Sequence, residues 1–95
     1  DAEAPLIALD ASLHMSAGKA AAQAGHASML LAAAMGPEQV QAWAADGFPL
    51  QVREVPRGDL ERLSCDPEAV AVRDSGFTEV APGSTTVVAL PGKYA

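Results

Sequence analysis

Met15-Ser16-Ala17-Gly18-Lys19-Ala20-Ala21-Ala22-Gln23-Ala24-Gly25-His26-Ala27 is the stretch that decides the fold. Its alanines favour helix, and Ser16 is a side chain that caps one. The helix is predicted to run from this cap through about Met35, where Gly36-Pro37 stops it. Lys19, Gln23, His26 and Leu30 recur at helical spacing and make one polar stripe. Ala20, Ala24, Ala27 and Leu31 make an adjacent face fit to lie on a sheet. The stripe is therefore expected to look toward a cleft or solvent. Gly18-Lys19 falls in the first turn, where unpaired backbone N–H groups attract anions.

The flanking sequence supplies the sheet. Pro5-Leu6-Ile7-Ala8-Leu9 is a short apolar run ended by Asp10 and reads as a buried strand. Ala11 to Ser16 reads as a loop. A second helix is predicted over Pro37 to Asp46, with proline in its permitted first turn and Gly47 ending it. Leu50 to Val55 alternates and reads as a strand. Pro56-Arg57-Gly58 reads as a turn, and Asp59 to Leu63 as one helical turn ended by Asp66-Pro67. Ala69 to Arg73 and Thr85 to Leu90 read as two more strands, with Pro91-Gly92 closing the unit. The order is β-α-α-β-(short α)-β-β. It predicts an α/β fold, a three-layer sandwich with a small mixed sheet of about four strands and helices on its faces. Residues 1–95 are expected to form a single domain.

Composition narrows the partners. Hydrophobic residues make up 49% of the 95, enough for one core, but the domain is small. Burial is expected to continue across a subunit interface, as in a two-fold homodimer with Trp43 as a core or interface anchor. The net charge is −6, and Lys19 is the only Lys or Arg before Arg53. No cation cluster is visible along the chain, which argues against strong non-specific nucleic-acid binding but not against a grip on one end. Cys65 is alone and cannot form an intrachain disulfide, which fits a reducing cytoplasm. The longest apolar run, Met29 to Met35, is far below the ~18 residues of a membrane span. No basic segment precedes an apolar one as in a signal peptide, so a cytoplasmic location is expected.

The second informative stretch is Val72-Arg73-Asp74-Ser75-Gly76-Phe77-Thr78-Glu79-Val80-Ala81-Pro82-Gly83-Ser84-Thr85-Thr86-Val87-Val88. Asp74 follows a predicted strand. Gly76 and Gly83 suit turns with unusual backbone angles, and Pro82 stiffens the second. Thr78 and Thr86 flank that turn, so folding back brings their hydroxyls toward Asp74. Such a set can position a water, polarise a carbonyl and steady an oxyanion. Spacing alone is equally compatible with Asp74 as a turn cap and with both threonines as ordinary strand residues.

Two motifs carry a family resemblance. Gly18-Lys19-x-Ala21-Ala22-Gln23-x-x-His26-Ala27 resembles the first signature of the type-2 peptidyl-tRNA hydrolases. Arg73-Asp74-x-Gly76-x-Thr78-x-x-x-Pro82-Gly83-x-x-Thr86-Val87 is similar to the second. Pro37-Glu38 through Trp43 and Gly47 resembles the family's middle helix, so the likeness covers roughly residues 5–92. It implies cleavage of the ester between a stalled peptide and the 3′ ribose of tRNA, a task of translation quality control. It also implies that Asp74, Thr78 and Thr86 belong to the active site. Lys19 then meets a phosphate or oxyanion, while Gln23 and His26 line the substrate cleft. No cofactor or metal is expected, because His14 and His26 lack tight ligand spacing with acidic residues.

The chain departs from the family at one key place. Where the family carries a catalytic lysine, five positions before the lysine of the Gly-Lys pair, this chain has His14. Histidine can act as a general acid or base near neutral pH but is not a permanent cation. His14 is therefore expected to approach Asp74 in the folded chain. Ala17 replaces a basic residue, the Val55 to Val72 segment is short, and the family's terminal helix is not represented. The expected function is a divergent peptidyl-tRNA hydrolase. The alternatives are a non-catalytic binding domain on the same fold, or a relative acting on a non-tRNA ester.

Overall fold

The computed structural model describes residues 3–73 and 85–95. Strand β1 is Leu6–Asp10, helix α1 is Ala17–Ala34, helix α2 is Pro37–Ala45, and strand β2 is Gln51–Val55. Helix α3 is Arg57–Ser64, strand β3 is Val70–Arg73, and strand β4 is Thr85–Leu90. Short 3₁₀ turns at Ala11–Leu13 and Gly92–Tyr94 follow β1 and β4. The sheet order is β2-β1-β4-β3. β1 pairs parallel with β2, and β4 runs antiparallel to both β1 and β3. The mixed four-stranded sheet and the helices match the expected α/β class.

Each helix has a local cause. Ser16 Oγ accepts the Lys19 N–H at 3.2 Å, capping α1 as its sequence predicts. α1 ends one residue before Met35, whose N–H bonds the Leu31 carbonyl. Pro37 opens α2, and Gln39 Oε1 reaches back to the Gly36 N–H at 2.5 Å. α2 ends in a Schellman arrangement: Phe48 N–H bonds the Trp43 carbonyl at 3.0 Å, and Gly47 N–H bonds the Ala44 carbonyl at 2.9 Å. Gly47 takes φ 85°, which this exit requires.

α3 corrects the sequence reading. Pro56-Arg57-Gly58 is not a turn; Pro56 caps the helix and Arg57 begins it, so α3 makes two turns rather than one. Amphipathic burial explains the gain. Leu60 is fully buried and Leu63 packs with it, so the segment covers a face of the sheet instead of bridging strands.

The strands sort their side chains by alternation. Ile7, Leu9, Val87, Ala89 and Val72 face α1 and form the larger core with Ala27, Leu31, Trp43 and Tyr94. Ala8 and Val88 face the other way and meet Leu60 of α3. The result is three layers: α1 with α2, the sheet, then α3. Ala20 and Ala24 pack beside Ala27 and Leu31 as expected, and Leu30 leaves the polar stripe to join them. Trp43 is a core residue, 4% exposed, with its indole N–H on the Pro49 carbonyl at 2.8 Å. Met29, Phe48, Leu50 and Val52 are exposed, and the first three border with Trp43 an open groove of about 350 Å³. No helix among the described residues is long and apolar enough to cross a membrane.

Candidate functional site

The topology sends three strands, β1, β2 and β3, in one direction. Their carboxyl ends and the start of β4 therefore share one edge of the molecule. Open α/β sheets bind ligands at such an edge. Here Asp10 ends β1, Arg57 opens the helix after β2, Arg73 ends β3, and Thr85-Thr86 begin β4. The first turn of α1, with Gly18-Lys19, arrives at the same edge. Lys19, Arg57 and Arg73 are three of the chain's six Lys and Arg residues. The sequence disperses these cations, and the fold gathers them at one end.

The bond that joins the two predicted motifs lies here. Thr86 Oγ1 donates to Gln23 Oε1 at 2.5 Å. Its longer approach to the Val72 carbonyl is 3.5 Å. Thr86 is 0% exposed, whereas Gln23 is half-buried, so Gln23 is the member of the pair with open surface. Because Oε1 accepts, the Gln23 Nε2 donors can serve a substrate oxygen. The polar stripe of α1 is thus divided: Gln23 turns to the sheet end, Lys19 is half-buried one turn earlier, and His26 is exposed.

The sheet around Thr86 is irregular. In the β3–β4 pairing Val72 opposes Val87 and Arg73 opposes Thr85, with a register shift between Val72 and Arg73. Thr86 is the extra residue of this bulge. Bulges beside sites re-aim side chains in this way.

A family model described as peptidyl-tRNA hydrolase PTH2 matches residues 6–94. The chain belongs to that family. No match was found among the curated proteins. The matched span includes both stretches singled out in the sequence, and the contact between Gln23 and Thr86 joins them in space. Asp74 and Thr78, the other expected site residues of the second PTH2 signature, lie outside the described residues. His14, expected at the place of the family's loop lysine, lies among the described residues. It is exposed and takes a left-handed conformation, φ 48°, closing the 3₁₀ turn through its N–H on the Ala11 carbonyl at 3.3 Å. Whether it approaches Asp74 falls outside the described residues.

Two polar residues of this end were not anticipated. The Asp10 side chain is fully buried; Oδ1 accepts from Ser12 N–H at 2.9 Å and Ser12 Oγ at 2.6 Å. Its Oδ2 accepts from Arg57 Nη1 at 2.8 Å. Burial alone raises the Asp10 carboxyl, but the hydrogen bonds from Ser12 and Arg57 outweigh it and hold the group below the usual carboxylate range. The same contact raises the Arg57 guanidinium, with Glu61 adding to it at 3.3 Å. A cation in the first turn of a helix opposes the helix dipole, so these two carboxylates are its local compensation. The sequence did carry a signal: a charged residue at the end of an apolar strand needs a partner once buried.

Proposed function

We propose that this chain hydrolyses the ester between a peptide and the 3′ ribose of tRNA. PTH2 family membership supports the reaction class, and the bond between Thr86 and Gln23 carries the assignment of the site. In this reading Asp74 takes a proton from a water that attacks the ester carbonyl. The carbonyl carbon gains that oxygen, the bond to the ribose oxygen breaks, and the proton goes to the departing ribose hydroxyl. Thr78 hydrogen-bonds the reacting carbonyl or water. Thr86, buried and bonded to Gln23, acts by holding the Gln23 amide toward the same atoms. Lys19 and the first turn of α1 meet a phosphate or the developing oxyanion. His26 lines the cleft farther along the helix, and His14 takes the place of the family lysine as acid or base.

The sparse positive charge fits a grip on the 3′ end rather than on the tRNA body. Lys19, Arg57 and Arg73 at one edge supply what charge there is. Turnover of peptidyl-tRNA in the wild type and in Asp74→Ala tests the reading. Cleavage that depends on Asp74 supports it. A rival reading, a binding domain without catalysis, is favoured by His14 at the lysine position. It predicts tRNA or ligand binding with no enzyme-dependent cleavage.

We further propose a cytoplasmic homodimer. Met29, Phe48, Leu50 and Val52 are exposed on or near β2, one of the two edge strands of the sheet, so a second copy there extends the core. Sedimentation of Met29→Glu and Phe48→Glu beside the wild type tests it. A wild type that stays at 9.7 kDa at high concentration removes the dimer.

A further inference from the structure

Arg57 lies on the opposite side of the sheet from α1, yet it touches the backbone that carries Thr86. Its Nη1 donates to Asp10 Oδ2 at 2.8 Å and to the Thr85 carbonyl at 2.9 Å. That carbonyl belongs to the planar peptide unit whose nitrogen is that of Thr86. Fixing its oxygen therefore fixes the direction in which the chain enters Thr86. Regular pairing does not do this work, because Thr86 is the bulged residue against β3. On the β1 side the paired register reaches only Leu9 with Val87. The guanidinium is itself anchored: the Asp10 side chain is wholly buried and is held on its other oxygen by Ser12.

We propose that Arg57 is a positioning residue of this site. Through the Thr85 carbonyl it sets the bulged Thr86, and through Thr86 the Gln23 amide. Its catalytic consequence rests on the hydrolase reading above; its structural consequence does not. Lysine at this position keeps the charge but not the rigid planar guanidinium, whose Nη1 meets both Asp10 and Thr85 while Nε meets Glu61. The Arg57 side chain is 43% exposed, so direct contact with a substrate phosphate is the competing role.

The experiment compares wild type, Arg57→Gln, Arg57→Lys, Thr86→Val and the Arg57→Gln/Thr86→Val double variant with peptidyl-tRNA. Arg57→Gln is expected to lower kcat roughly tenfold or more with KM unchanged. Arg57→Lys recovers part of the loss. The double variant is no slower than Thr86→Val alone, because both changes break one chain of contacts. A raised KM with kcat kept, or losses that multiply, overturns the positioning role in favour of direct phosphate contact. The Thr86 amide and Gln23 side-chain NMR resonances of Arg57→Gln are read in parallel. They shift if Arg57 positions the pair, whether or not the protein cleaves tRNA. Unshifted resonances overturn the inference. Shifted resonances in a protein without turnover overturn only the hydrolase reading. If Arg57→Gln does not fold, Arg57→Lys carries both readouts.

Discussion

Thr86 and Gln23, 63 residues apart in sequence, share a hydrogen bond of 2.5 Å that ties the start of β4 to the second turn of α1. The hydroxyl is buried and the amide is half-open. Removing the hydroxyl with Thr86→Val keeps the shape and leaves Gln23 to rotate. Stability should fall by about 1 kcal/mol, since the freed amide can be rehydrated. Peptidyl-tRNA turnover should fall roughly 10- to 100-fold, the scale of a misplaced site group. Chemical denaturation and steady-state kinetics on one preparation check both.

Asp10 predicts a specific response to acid. Its folded-state pKa lies below the unfolded value, so the unfolded chain binds the proton more readily. The stabilisation is complete above the unfolded carboxylate range, near pH 4, and is lost as pH falls through the lower folded value. Asp10→Asn should cost about 2 kcal/mol at neutral pH, as for a hydrogen bond to a charged group. It should also flatten the acid limb of a urea-denaturation series. A variant with the wild-type acid slope would contradict the pairing with Arg57.

Tyr94 responds at the other extreme. Its hydroxyl donates to Asp46 Oδ2 at 2.6 Å, and this bond, then burial and the nearby charge, push its pKa up to about 12. The folded value exceeds the unfolded one, so the contribution is full below about pH 10 and fades as pH rises toward the folded value. Ultraviolet titration should show delayed ionisation, and Asp46→Asn should return it toward that of free tyrosine.

Much of this was legible in the chain, for identifiable reasons. The α1 cap, the sheet-facing alanines and all four strands follow from local pattern, and the two glycine-bearing motifs follow from family likeness. α3 was under-read because Pro56 and Gly58 look like a turn, although proline before a helix, Asp59 in its first turn and Arg62 in its last are start and stop signals. The pairing of Asp10 with Arg57 was missed because its partners are 47 residues apart and meet only when β1 and β2 lie side by side. Thr86 was singled out as a group near the carbonyl; its full burial and its bond to Gln23 are tertiary facts that no spacing encodes.

Two glycines separate backbone strain from crowding. Gly47 and Gly92 both take positive φ, 85° and 60°. A Cβ on Gly47 meets nothing within 4 Å, but one on Gly92 runs into the backbone of Glu3 and Ala4. Gly47→Ala should cost about 1 kcal/mol from conformation alone. Gly92→Ala should cost clearly more, because the 3₁₀ turn that buries Tyr94 must shift. Thermal melts of the two variants side by side give the ranking, and the reverse order would contradict the described closure.

If the second motif and α1 form one hydrolytic site, single-turnover cleavage of peptidyl-tRNA by excess protein reveals it. Wild type, Asp74→Ala and Gln23→Ala are compared at neutral pH with folding verified by circular dichroism. The wild type should release free peptide and intact tRNA, with both variants slowed at least about 10-fold. Equal rates in all three proteins, or no release by the wild type above the spontaneous rate, would contradict it.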